Sequence, residues 1–257
     1  LRHVQILTGV RRCGKSTIFK LLINDLLATG IEGKEILVLN LDDPQFIPFW
    51  DSSSKLFSVI ENAEKLTGIK VKYLFLDEVQ HIQDWELFVK SVYDSNLFTK
   101  IYITGSNSNL LQNRFSALLS GRYFENEVRP FSLSEVLRAK GFSTLLDCYH
   151  NTPDVLRIVD SVLLYGSFPE IVLSDVDENI KLELLKSYFD SIVQKDCIIY
   201  NNIRDTYLFY RLVNYLLQNV GNRFSIPTVA KALKSNENTI LTYLNYLCDS
   251  YICSDVR

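Results

Sequence analysis

The sequence predicts an α/β fold over residues 1–130, a three-layer sandwich built on a mostly parallel sheet, followed by a helical lid and a winged-helix-like domain. Two observations carry this. Up to Val128, short apolar runs of strand length alternate with stretches of helical period, the order that lays helices over a parallel sheet. From Pro130 onward almost nothing alternates in twos, and amphipathic stretches follow one another.

Taken in order, Val4-Gln5-Ile6-Leu7-Thr8 reads as the first strand. The run Thr17 to Thr29 puts Phe19 or Leu22, Ile23, Leu26 and Leu27 on one face and stops at Gly30, a residue suited to a left-handed cap. Glu35 to Leu41 is a second strand, apolar enough to be buried on both faces, and Asp42-Asp43-Pro44 ends it. Gln45 to Asp51 reads as loop, and Leu56, Val59, Ile60 and Leu66 mark a helix closed by Gly68. The third strand, Val71 to Leu76, runs into Asp77-Glu78, and Asp84 caps a helix over Trp85 to Tyr93. A fourth strand, Lys100 to Thr104, a helix from about Leu110 to Leu119 and a fifth strand, Tyr123 to Val128, complete the pattern. Beyond Pro130, helices are expected over 133–140, 143–149, 153–164 and 179–194, interrupted at Gly166-Ser167-Phe168-Pro169-Glu170. From about Asp205 the order is helix, extended Phe224-Ser225, helix Pro227 to Leu233, helix Asn236 to Leu247 and a strand-like end, which is that of a winged helix-turn-helix.

Between the first strand and first helix lies Gly9-Val10-Arg11-Arg12-Cys13-Gly14-Lys15-Ser16-Thr17, two glycines spaced for a P-loop and followed by Lys-Ser. Glycines let consecutive amides turn toward phosphate oxygens, Lys15 reaches the β and γ phosphates, and Ser16 offers a hydroxyl to Mg²⁺. Asp77, at a strand's carboxyl end, is the expected second metal ligand, and Glu78 the general base on the attacking water. The expected ligands are ATP or ADP with Mg²⁺. At the end of the fourth strand, Ser106, with Asn107 second, is expected between the γ phosphate and that water; capping of the next helix is the alternative. Arg122 is the candidate cation for the transferring phosphoryl, acting from a neighbouring copy in a homo-oligomer, against a surface ion pair with Glu125 or Glu127. The break at Pro169 either covers the nucleotide base or simply lets helices pack. Asp42-Asp43 either faces the cleft or caps a loop. The expected division is a nucleotide-binding domain at 1–130, a helical lid at 131–204 and a winged-helix-like domain at 205–257.

Composition narrows the alternatives. With 47% apolar and 22% charged residues the chain is expected to fold, and a net charge of −3 argues against a broadly basic nucleic-acid surface. Residues 131–206 hold 7 basic and 12 acidic side chains, so the middle is the acidic part. A local DNA contact on the last helices, through Lys231 and Lys234, is the alternative that this average leaves open. Five cysteines and three histidines show no metal-ligand spacing, which fits a reducing cytoplasm without structural zinc. No run is long enough to span a membrane. The absence of methionine and the strand-like ends suggest a piece of a longer polypeptide.

The combination resembles the prokaryotic AAA-type ATPases whose AAA domain is followed by a domain of unknown function. The segments that carry the likeness are Leu7 to Thr17, Leu39 to Pro44, Phe75 to Gln80, Ile103 to Ser108, Leu119 to Tyr123, Pro130 to Glu135 and Tyr165 to Glu170, with Asn219 to Ser225 and Leu244 to Leu247 behind them. Ser167 stands where the family usually has a second glycine, and Cys13 replaces a more common Val, Thr or Ala. The resemblance implies ATP binding with slow hydrolysis, a helical lid, a winged-helix-like segment and a further nuclease-like domain that these residues do not include. Two other purposes stay open: a nucleotide-dependent switch for an unknown protein partner, and an ATPase attached to a DNA-binding module.

Overall fold

The computed structural model describes residues 3–108 and 114–254. Five strands, β1 (Val4–Thr8), β2 (Ile36–Asn40), β3 (Tyr73–Asp77), β4 (Lys100–Gly105) and β5 (Tyr123–Glu127), form one sheet in the order β2-β3-β4-β1-β5. All four pairings are parallel, with Thr8 opposite Gly105 and Glu127, and Asn40 opposite Asp77. Val4, Ile6, Leu74, Phe75, Leu76 and Ile103 have no exposure at all, as expected where both faces of a parallel sheet are covered.

The alternation of strand side chains separates two packing layers. On one face Leu7 and Phe75 meet Phe19 of α1 (Lys15–Ala28), whose ring lies edge-on to Phe75 at 5.0 Å. On the other, Leu74, Leu76 and Ile103 pack with α2 (Leu56–Thr67), α3 (Trp85–Asp94) and α4 (Arg114–Leu118), through Leu56, Ile60, Trp85, Phe88 and Phe115. The helix expected from Leu110 is described from Arg114 onward; residues 109–113 lie outside the described residues. The segment expected as loop after β2 is a 3-10 helix, Pro44–Phe49, because Pro44 opens it and Asp43 caps it, accepting from Gln45 N–H at 2.9 Å.

The chain divides into two compact units, 1–175 and 176–257. Helices α5 (Leu133–Ala139), α6 (Leu145–His150), α7 (Thr152–Tyr165) and the short α8 (Pro169–Leu173) therefore belong with the sheet. Serine and threonine set two of these starts: Ser132 and Thr144 each make a reciprocal capping box, with Glu135 and Asp147. The Phe131 N–H donates to Ser167 O at 2.9 Å, tying the segment before α5 to the one before α8.

The second unit holds α9 (Glu178–Ser191), a π-helical continuation at Ile192–Ile199, then α10 (Thr206–Gln218), α11 (Ile226–Leu233) and α12 (Glu237–Asp249). Its core is Val193, Cys197, Phe209, Leu212, Val229, Ile240 and Leu247. Burial pushes the Cys197 thiol up to about 12, so it is protonated at neutral pH. Two extended runs were expected here, and both lie at helix ends: Ser225 is extended, whereas the chain end turns. Ser225 caps α11 by accepting from Thr228 N–H. At the chain end Tyr251 takes φ 62° and Ile252 N–H returns to Leu247 O at 3.0 Å, so Tyr251-Ile252 closes α12 as a turn. Among the described residues the second unit contains no strand.

Candidate functional site

In an open parallel sheet the ligand crevice lies at the carboxyl ends of the strands, where the order reverses. Here that point is β1, flanked by β4 and β5 rather than by its sequence neighbour β2. The loop after β1 is shaped by backbone conformation. Gly9 has φ +141°, Arg12 φ 70° and Gly14 φ +108°, values that only glycine adopts readily. At Gly9 space also excludes any side chain, since a Cβ would fall 2.0 Å from Val128 O. Gly14 opens α1 without a side-chain cap, so the first-turn amides, with Ser16 and Thr17 exposed beside them, keep their donors for a ligand.

Lys15 is 4% exposed, and its ammonium donates to Gly9 O at 2.9 Å and Val10 O at 3.1 Å while standing 3.9 Å from Glu78 Oε1. Val10 and Cys13 are buried beneath the loop. Burial pushes the Cys13 thiol up, with Lys15 pulling the other way, so it is protonated at neutral pH. The two loop arginines point to different partners. Arg11 reaches Asp42 at 3.5 Å, and Arg12, exposed, stands 3.8 Å from Glu170 of α8.

The strand beside β1 is β4, and β3 lies one place further out, so the acid pair reaches the loop across an intervening strand. Thr104 of β4 makes that connection. Fully buried, its hydroxyl donates to Asp77 Oδ1 in a short contact and accepts from the Glu78 N–H at 2.9 Å. Glu78 holds φ 56°, an uncommon conformation for glutamate that recurs at functional positions. Gln80 then bridges Glu78 Oε2 at 2.5 Å to Ser106 Oγ at 3.0 Å. Ser106 and Asn107 are both buried, at 1% and 2% exposure, and Ser106 joins this cluster through Gln80.

Thr104→Val keeps the volume but leaves the buried Glu78 amide unpaired. We expect a loss of about 1–3 kcal/mol in unfolding free energy, read from urea denaturation.

The remaining expected residues divide. Pro169 does stand over the loop, its Cγ 3.8 Å from the place of a Gly14 Cβ. Asp42 faces inward, between Arg11 and His81 Nε2 at 3.2 Å, with His81 stacked on Trp50; Asp43 is the loop cap. Arg122 is not brought to this cluster in its own chain. Its carbonyl accepts from Val4 N–H at the start of β1, about 13 Å of strand from the loop. The pairs expected with Glu125 or Glu127 are replaced: Arg122 meets Asp94 at 2.7 Å, Glu127 meets Arg129, and Glu125 accepts from Thr8. The reason is position, since Arg122 precedes β5 at the end of the sheet where α3 finishes.

Sequence reasoning missed Gln80 and the bridging role of Thr104. An amide two residues after Glu78 was the available signal for Gln80; the strand order, invisible locally, was needed for Thr104.

The donor set suits a nucleotide with Mg²⁺. The hydroxyl of Ser16 and the carboxylate of Asp77 are hard oxygen ligands, and at Gly9 only a residue without a side chain fits between Val128 O and Cys13 Sγ. Residues 1–137 match the family described as "AAA domain". The chain belongs to this AAA domain family. Residues 156–257 of this AAA protein match a domain of unknown function, DUF8612. Among curated relatives, an uncharacterised protein of Haemophilus influenzae is 30% identical over 97% of this chain and 61% of its own length. An uncharacterised Methanocaldococcus jannaschii protein, MJ1544, is 31% identical over 97% of this chain and 55% of its own. The chain thus spans little more than half the length of these relatives. Solved structures similar to it include Aeropyrum pernix Orc1 in complex with DNA, 12% identical over 97% of this chain and 78% of that one, with a TM-score of 0.42. AMPPCP-bound DnaA from Aquifex aeolicus is 12% identical over 98% of this chain and 84% of that one, also at 0.42. Likeness at that level says nothing of function. Among the described residues no helix is long and apolar enough to cross a membrane.

Proposed function

We propose that this AAA protein binds ATP with Mg²⁺ and hydrolyses it to ADP and phosphate. The observation that carries the reading is the single linked cluster formed by Lys15, Asp77, Thr104, Glu78, Gln80 and Ser106 at the carboxyl end of the sheet. In this reading the amides from Val10 to Ser16 wrap the phosphates, and Lys15 exchanges the carbonyls of Gly9 and Val10 for phosphate oxygens. Ser16 and Asp77 would hold the metal, which would supply positive charge against the phosphates. Glu78 accepts a proton from the attacking water, and Ser106 orients the γ phosphate. Pro169 covers the nucleotide from the start of α8. Arg122 serves the site of a neighbouring copy, since its own site is at the other end of β1. Of the stretch 131–204 expected as lid, the part up to 175, which shares the sheet's unit, acts as lid, and the helices of 176–257 receive the resulting rearrangement.

The test is phosphate release from ATP. We expect release that stops on chelation with EDTA, and a Lys15→Ala chain that binds ATP about tenfold to hundredfold more weakly, as loss of a charged hydrogen-bond donor implies. Release insensitive to both treatments would discard the reading.

A further inference from the structure

The geometry points to Gln80 as the positioning residue for Glu78: it holds Oε2, so that Oε1 is the oxygen that takes the proton of the attacking water. This inference rests on the proposed hydrolysis and deepens it.

Gln80 lies in the 3-10 turn Val79–His81, immediately after Glu78. Its side-chain nitrogen is 2.5 Å from Glu78 Oε2 and 3.0 Å from Ser106 Oγ. A carboxylate only accepts, so the amide must present its NH₂ to Glu78, and this fixes which way the group faces. Both of its protons are then engaged. Gln80 Oε1 is left buried without a hydrogen-bond partner among the described residues, a state that costs stability and calls for a reason other than packing.

The two oxygens of Glu78 consequently differ. Oε2 is fixed by Gln80, whereas Oε1 faces the Lys15 ammonium at 3.9 Å, beyond hydrogen-bond length. Lys15 is occupied by the carbonyls of Gly9 and Val10. Once Lys15 turns to the phosphates, Gln80 is the contact that keeps the carboxylate in place. Water's O–H bond then breaks toward Oε1, its oxygen bonds to phosphorus, and the bond to the ADP oxygen breaks with its electron pair. Through Ser106 the same amide makes the placement of the base depend on the residue at the end of β4.

Gln80→Leu removes both donors at similar size. We expect kcat for ATP to fall about tenfold to hundredfold, with the Kd for a fluorescent ATP analogue unchanged. In the Gln80→Leu background, Ser106→Ala should cost less than it costs alone, because the two side chains act through one contact. A readout without nucleotide comes from the crystal structure of the nucleotide-free variant, in which the Glu78 carboxylate should leave its place and turn toward Lys15. Unchanged turnover in Gln80→Leu while Glu78→Gln is inactive would overturn the inference, as would a Glu78 carboxylate that stays put. Should the wild-type chain release no phosphate, the hydrolysis reading fails by itself, and the variant crystal structure still decides whether Gln80 positions Glu78. Gln80→Met repeats every measurement if the leucine variant does not fold.

Discussion

Glu78→Gln should bind ATP as the wild-type chain does and release phosphate about 10²–10⁴ times more slowly, the span that a general base contributes. The glutamine fills the same volume, and its backbone can keep the φ of 56° and the N–H bond to Thr104, so folding is not at stake. What disappears is an oxygen able to take a proton. Gln80 would then face an amide instead of a carboxylate, and one of its contacts weakens as well. Single-turnover phosphate release together with analogue binding separates the two effects. Equal rates in both proteins would remove Glu78 from the chemistry, whatever Lys15 does.

Gly9→Ala should damage the protein more than any other single methyl in this loop. Its Cβ would sit 2.0 Å from Val128 O and 3.2 Å from Cys13 Sγ, at a φ of +141°. Val128 is in no position to yield, because its own N–H donates to Thr8 O at 2.7 Å. Backbone must therefore move at the junction of β1 and the loop, at a cost of about 3 kcal/mol or more. Gly14→Ala is the control. The nearest atom to its Cβ is Pro169 Cγ at 3.8 Å, so only the φ of +108° opposes it, for about 1–3 kcal/mol. Thermal unfolding should show the Gly9 variant clearly less stable than the Gly14 variant. The reverse order would mean that conformation, not space, governs the loop.

The local chain determined a good deal by itself. Alternation of apolar runs with helical period marks five strands and their helices, since burial on two faces and burial on one stripe leave different periods in the residues. The spacing of Gly9, Gly14, Lys15 and Ser16 encodes a cradle, because the demand for positive φ is met residue by residue. Asp77-Glu78 after an apolar run marks the carboxyl end of a strand. At the chain end the local reading failed on a contact only five residues away. The run Tyr251-Ile252 looks extended but turns back to Leu247, since α12 needs its last carbonyls satisfied.

Only the tertiary structure decided which strands are neighbours, and with that which side chains share the site. Insertion of β4 between β1 and β3 brings Thr104 to the acid pair and Ser106 to Gln80, residues separated by 26 or 27 positions. Arg122, which directly precedes β5, lies at the opposite end of this parallel sheet, against Asp94. Strand order is set by how the whole sheet buries its two faces, and no window of a few residues contains that information.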